Sequence, residues 1–258
     1  MRALLVLASI LYAANASADA DVVPGATAPR ATNEERPFLH VLDPTTPSAG
    51  AVSLGYGFGY GSGVAAERPM PANIANAGAT HNAVVSYAVT DHIAPFIGGA
   101  GDASGASALA GARFQLTDPA SAFRFTVAAA MFREGRGGAF GAWSRAAASY
   151  DVAGFRVAGN LHVERAFARA RDPIDVLALA GISYRVAPAF RLGAEYVGQD
   201  LEDAIEKEEA EGGARHFLGP TGAIDLSAGR LQLTFGPAFG LNERSPRFLG
   251  RVGVLASF

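Results

Sequence analysis

The sequence predicts an all-β chain: a transmembrane, antiparallel, up-and-down β-barrel of twelve strands. Three observations carry this. Apolar residues alternate with small or polar ones in run after run, so that side chains fall on two opposite faces. The connections between runs alternate between short and long, and the number of runs is even, as in a spanning barrel. Aromatic residues gather beside the short connections, at one level of the sheet.

The chain has 258 residues. Arg2 is the only charge before Asp19, and between them lie an apolar stretch from Leu4 to Ala14 and the small residues Ala16-Ser17-Ala18. A basic start, a short apolar region and a small-x-small site read as a secretory signal peptide over 1–18, cleaved after Ala18. The run is too short for a transmembrane helix, which needs about twenty apolar residues. Residues 19–47 are rich in Pro, Ala, Thr and charge and have no period. They read as an irregular periplasmic lead-in, with the apolar patch Phe38–Leu42 docking at the barrel mouth.

Residues 48–258 form the barrel. In the first run, Val52, Leu54, Tyr56, Phe58 and Tyr60 alternate with Ala51, Ser53, Gly55, Gly57 and Gly59. So bare a face weakens a strand, and it implies close packing by something inside: the N-terminal segment or a folded-in loop. The eleven further runs are placed at 82–90, 93–100, 107–116, 122–132, 139–150, 155–165, 175–186, 190–199, 215–226, 231–241 and 248–258. Short turns fall at 90–92, 117–121, 151–154, 186–189 and 227–230; the connections at 61–81, 101–106, 133–138, 166–174, 200–214 and 242–247 tend to be longer. The final run places Phe248, Gly250, Val252, Val254, Ala256 and Phe258 on one face, and its partner across the seam is the first run, since an open edge in lipid leaves backbone groups unpaired. With twelve runs both ends of the barrel lie on the periplasmic side.

Phe114, Phe123, Tyr150, Phe155, Tyr184, Phe190 and Phe258 sit beside short turns on the apolar faces and form a membrane-interface belt. A sparser second belt is drawn at Tyr60, Phe132, Phe140, Tyr196 and Phe239. A soluble β-sandwich has no reason to align aromatics in this way.

A terminal strand ending on an aromatic resembles the closing strand of bacterial outer-membrane barrels. In that family the terminal aromatic forms part of the signal read by the barrel-insertion machinery. Two hairpins extend the likeness. YAVTDHIAPFIGG (87–99) resembles a strand–turn–strand unit of the porin-like outer-membrane family whose label links it to phenol degradation, and GPTGAIDLSAGRLQLTFGPAFGL (219–241) resembles the penultimate hairpin of such barrels. The resemblance implies an outer-membrane location, contact with outer-membrane lipids and passive transport of a small solute. It names no solute and no oligomeric state.

The face opposite the belt points into the lumen. Arg113, Arg124, Arg156, Arg185 and Arg191 lie there near short turns, with Arg145 and Arg251 deeper. The inward acids are Glu164, Glu195 and Asp225, and the inward neutral polar residues include Gln115, Asn160, His162, Gln199, Gln232 and Thr234. Two readings of the arginines stand side by side. Rings of guanidinium groups favour anions. Alternatively, arginines paired with Asp118, Asp151, Asp225 and Glu195 brace a plugged interior, since an unpaired buried charge is costly. The barrel is then either a passive channel for small solutes, which an inward arginine ring would make anion-preferring, or a non-conducting structural or surface-interaction barrel with a plugged lumen.

Other functions find less support. The 21 basic residues fall to 20 without Arg2, against 24 acidic ones, which argues against a nucleic-acid partner. Cysteine is absent, which excludes a disulfide scaffold. Histidine occurs at five positions, 40, 81, 92, 162 and 216, and no serine is placed to complete a triad with any of them. His162, Glu164, His216 and Asp200 gather at most at the outer rim. No pair has zinc-ligand spacing, so no metal and no cofactor is expected. The acidic stretch after Gln199 lacks the spacing of a calcium loop and reads as a solvated loop.

Overall fold

The structure, a computed structural model, describes residues 37–42, 44–62, 78–103, 105–135, 138–168, 174–201, 213–226 and 230–258. The expected signal peptide, most of the 61–81 connection and the acidic residues 202–212 lie outside the described residues.

Twelve strands follow one another along the chain: β1 Val52–Ser62, β2 Gly78–Tyr87, β3 Ile93–Asp102, β4 Gly105–Gln115, β5 Phe123–Glu134, β6 Phe140–Val152, β7 Phe155–Ala166, β8 Asp175–Ala187, β9 Phe190–Gln199, β10 Arg215–Leu226, β11 Leu231–Gly240 and β12 Phe248–Ser257. Each pairs antiparallel with its sequence neighbours, and β12 returns to β1, so the sheet closes into a barrel with no edge. Closure satisfies every strand from both sides, which the interior of a bilayer demands. The seam runs in register from Ser53 opposite Ser257 to Ser62 opposite Phe248. It is tied at its short-turn end by Val52 N–H to Phe258 C=O at 3.0 Å and Phe258 N–H to Val52 C=O at 2.9 Å.

The largest departure from the sequence expectation is β2, which starts at Gly78 rather than 82 and ends at Tyr87 rather than 90. Residues 78–81, ahead of the expected run, continue its ladder with β1 as far as Gly78 opposite Gly61, and Asn82 faces the bare side of β1. A Cβ on Gly57 would lie 2.6 Å from Asn82 Oδ1, so the missing side chain makes room for the amide.

The short turns are tight. Only Ala153 and Gly154 separate β6 from β7, and both have positive φ, 48° and 84°. Two-residue hairpins whose central residues are both left-handed twist in the sense the strands require. Gly154 suits this conformation, while Ala153 carries a Cβ into a region that disfavours one.

The belt residues Phe114, Phe123, Tyr150, Phe155, Tyr184, Phe190 and Phe258 all occupy outward positions near the short-turn end, and Phe155 and Tyr184 touch at 4.6 Å between ring centroids. The second belt needs one correction. Tyr60, Phe140, Tyr196 and Phe239 face outward, but Phe132 faces inward and is 1% exposed. Arg124 fixes the phase of β5, and every second residue from it is buried, including Phe132. Phe132 joins Phe96, Trp143 and Leu177 in a cluster inside the barrel.

Candidate lumenal site

The lumen is filled at one end by the chain itself. Residues 37–42 and 44–48 have no strand structure and pass inside the barrel before the chain turns into β1. Phe38 and Val41 are 2% and 0% exposed and pack against Ala158, Leu179, Val197, Phe217, Ala238 and Leu249, which come from six consecutive strands. This is deeper than docking at the mouth. Gly181 on β8 allows the depth: a Cβ there would lie 2.5 Å from the Phe38 ring.

Polar groups of the wall hold the segment's backbone. Glu195 Oε1 accepts the N–H groups of both His40 and Val41, each at 2.6 Å. Two successive N–H groups aimed at one carboxylate oxygen form an anion-binding nest. Glu195 Oε2 accepts from Arg251 Nη1 at 2.6 Å, and this carboxylate is fully enclosed, at 1% exposure. Asn160 Oδ1 accepts from Leu42 N–H at 2.6 Å, while its Nδ2 donates to Leu42 C=O at 3.0 Å. Gln115 Oε1 accepts from Thr46 N–H at 2.7 Å and from Thr46 Oγ1 at 2.9 Å. Arg113 Nη1 donates to Thr45 C=O at 3.0 Å, and Thr126 Oγ1 donates to Pro44 C=O. An irregular segment in a barrel has no ladder to satisfy its backbone, so these side chains supply the partners.

The arginines fall where alternation puts them. Arg113, Arg124, Arg145, Arg156 and Arg251 are buried in the lumen, while Arg185 and Arg191 line its short-turn mouth with Asp225 and Pro37. Asp151 joins two of them: it pairs with Arg124, and with Arg156 at 2.6 Å to Nε and 2.7 Å to Nη2. Arg185 Nη1 donates to Pro188 C=O at 3.1 Å. Asp118, another proposed partner, accepts from Ala120 N–H at 2.8 Å within its own turn.

Charge is sorted along the axis. Asp102, Glu134, Glu164 and Asp175 take inward positions near the long-loop ends of their strands, whereas the arginines cluster towards the short turns. Of these acids Glu164 is read as a lumen residue from the pattern, and Asp175, ten residues before Arg185 on the same strand, shares that inward phase. Glu134 continues the inward phase of Arg124 beyond the end drawn for its strand.

The histidines separate. His162 stays inside, 4% exposed, with its ring edge-on to Trp143 at 5.7 Å between centroids. His216 does not join it. It faces outward, stacks on Tyr196 at 6.0 Å and 20°, and shares a 2.7 Å hydrogen bond with the tyrosine hydroxyl. His81 shares a 2.7 Å bond with Tyr56 in the same way. Asp200 pairs instead with Arg215 at 2.7 Å. The grouping at the outer rim therefore does not form, because the phase set by Glu195 turns Tyr196 outward and His216 with it. Among the described residues no cluster of acids and histidines suits a metal ion.

Above the segment a cavity of about 140 Å³ remains, bounded in part by Leu39, Phe96, Arg113, Trp143, Arg145 and His162. Pattern reasoning overlooked Trp143, Phe96 and Phe132 as lumen residues. Counting in twos from Arg145 places Trp143 inward, so the signal was present.

A closed twelve-stranded wall, an outward aromatic belt and a polar lumen with an inserted segment define a β-barrel of the membrane-spanning type. No family model matches the chain, and no curated protein matches it. Solved structures do. The KdgM porin in complex with disordered oligogalacturonate aligns with a TM-score of 0.55 at 8% identity, over 81% of this chain and 99% of that one. The COG4313 outer membrane channel from Pseudomonas putida F1 aligns at 0.53 and 13% identity, over 92% and 100%. The NanC porin aligns at 0.53 and 10% identity, over 79% and 98%. At such identities the likeness establishes the fold, and the porin-like resemblance of the two hairpins is met in it.

Proposed function

We propose that the chain is a narrow outer-membrane channel for small solutes, exported by cleavage of residues 1–18. Residues 37–42 and 44–48 act as a movable constriction in its periplasmic half. The observation that carries this is the way the segment is held: single side chains such as Glu195 and Asn160 grip its backbone, so that a shift of the segment exchanges hydrogen bonds for water. The aromatic belt sits in the lipid interface.

The channel prefers anions. From the short turns to mid-barrel, the inward strand residues carry seven arginines, 113, 124, 145, 156, 185, 191 and 251, against the three carboxylates of Asp151, Glu195 and Asp225. Like charges lining a narrow pore set its ionic preference. The enclosed Phe38 and Val41 favour the alternative, a sealed structural barrel. Planar-bilayer recordings separate the two. A channel gives a small, anion-selective conductance that rises when Asn160→Ala or Glu195→Ala loosens the segment. Silence in the parent and in both variants refutes the channel.

A further inference from the structure

We propose that the cavity above the inserted segment is a binding site for a single-ring aromatic carboxylate. This rests on the channel reading and gives it a ligand class.

Size comes first. The cavity measures about 140 Å³, and a cavity of about 150 Å³ in a protein core accepts one benzene ring. The walls suit a ring. Phe96 and Trp143 meet edge to face, 6.0 Å apart and at 82°, and both are nearly buried. Leu39 closes the cavity from the inserted segment. Aromatic rings pack in such edge-to-face arrangements, and small-molecule sites combine apolar walls with a few convergent polar groups.

The polar groups define the other half of the ligand. Arg113 and Arg145 both border the cavity, and the Arg145 guanidinium lies 5.5 Å from the Trp143 ring centroid. A guanidinium presents a planar fork of donors that matches a carboxylate. His162 also borders the cavity, edge-on to Trp143. Among the described residues neither of its ring nitrogens has a hydrogen-bond partner, although the residue is 4% exposed. Nε2 of His40, on the segment side of the same cavity, also lacks one. Buried polar atoms are rarely left unsatisfied. An imidazole N–H that donates to a carboxylate oxygen satisfies the group, and the aromatic body of the same molecule fills the apolar side. A neutral ring brings no charged acceptor to the His162 imidazole and the cationic rim, and a small carboxylate without a ring leaves the Trp143–Phe96 wall uncovered.

Trp143 is the only tryptophan in the chain, so intrinsic tryptophan fluorescence reports this cavity alone. The full chain in detergent micelles is titrated with benzoate, phenol and acetate, with Trp143 emission as the readout. Benzoate is expected to give a saturable change, with phenol and acetate at least tenfold weaker. Arg145→Gln and, separately, His162→Phe each weaken benzoate at least tenfold while barrel mobility on unheated gels is kept. If Arg145→Gln does not assemble, His162→Phe alone decides. An unsaturable benzoate response, equal responses to phenol and benzoate, or unchanged affinity in His162→Phe overturns the proposal. Conductance is recorded separately. A barrel that conducts without binding benzoate loses the site and keeps the channel, and one that binds without conducting does the reverse.

Discussion

Replacing Glu195 with alanine tests how the lumen is held. The carboxylate makes two backbone bonds of 2.6 Å to His40 and Val41 and one of 2.6 Å to Arg251, all in an enclosed environment. Removing one partner of a buried ion pair destabilises by about 3–5 kcal/mol. Part of that falls on the barrel, through Arg251. The share that falls on the segment is set by its two N–H bonds to a charged acceptor. Each contributes about 1.5–3 kcal/mol net, and their sharing of one oxygen puts the pair nearer the lower end, at about 3 kcal/mol. At about 1.4 kcal/mol per tenfold change, release of the segment becomes more than a hundredfold easier.

The chain has no cysteine, so a single Val41→Cys reporter labels only where the segment leaves the lumen. Val41 is 0% exposed, and its labelling by a polar maleimide is slow in the parent. Adding Glu195→Ala is expected to raise the labelling rate about a hundredfold. Glu195→Gln keeps an acceptor oxygen without the charge and raises it about tenfold, a loss of about 1.4 kcal/mol. Bilayer conductance rises in the same order. An assembled Glu195→Ala barrel that labels no faster than the reporter alone refutes the argument, since the segment is then held by packing of Phe38 and Val41.

Three further outcomes follow from the geometry. Gly181→Ala places a Cβ 2.5 Å from the Phe38 ring, closer than van der Waals contact allows; it accelerates Val41→Cys labelling, and Phe38→Ala suppresses the increment, with a coupling of about 0.5–3 kcal/mol in the double-mutant cycle. Ala153→Gly relieves a left-handed alanine at φ 48° and stabilises the barrel by about 1 kcal/mol, read as a higher urea midpoint in detergent; no shift refutes strain in that turn. Asp151→Asn removes the carboxylate shared by Arg124 and Arg156 and raises anion over cation permeability in reversal-potential measurements; a fall in that ratio refutes anion preference through these arginines.

The strands were legible because a spanning sheet forces period two, and because charges fix its phase. Arg145, Arg156 and Arg251 could point only inward, and their neighbours followed. Legibility failed where both faces are apolar. Phe132 and Trp143 are as hydrophobic as any lipid-facing residue, and a small barrel packs its interior with such side chains. Hydrophobicity therefore did not separate wall from lumen, whereas counting in twos from Arg124 and Arg145 places Phe132 and Trp143 inside. The depth of the inserted segment was hidden for another reason. Its backbone partners, Glu195, Asn160 and Gln115, lie 69 to 155 residues away in sequence, and an irregular stretch has no period to announce them. The bare face of β1 is met at Gly57 and Gly59 by Asn82 and Thr80 of β2, while the segment's Phe38 and Val41 pack on β7 to β12.

The axial sorting of charge connects these features. Arginines crowd the half of the lumen that holds the segment, and their donors reach both carboxylates and segment carbonyls: Arg251 holds Glu195, and Arg113 holds Thr45. Glu195 in turn holds the segment's N–H groups. One set of side chains thus supplies the charge that attracts an anion and the anchors that keep the constriction in place. An anion that reaches these arginines competes with Glu195 and the Thr45 carbonyl for the same donors, and a guanidinium exchanges one oxygen partner for another at little net cost. Under the proposed anion-channel reading, passage and release of the segment are coupled through Arg113 and Arg251, whereas a neutral solute has no such lever on the constriction.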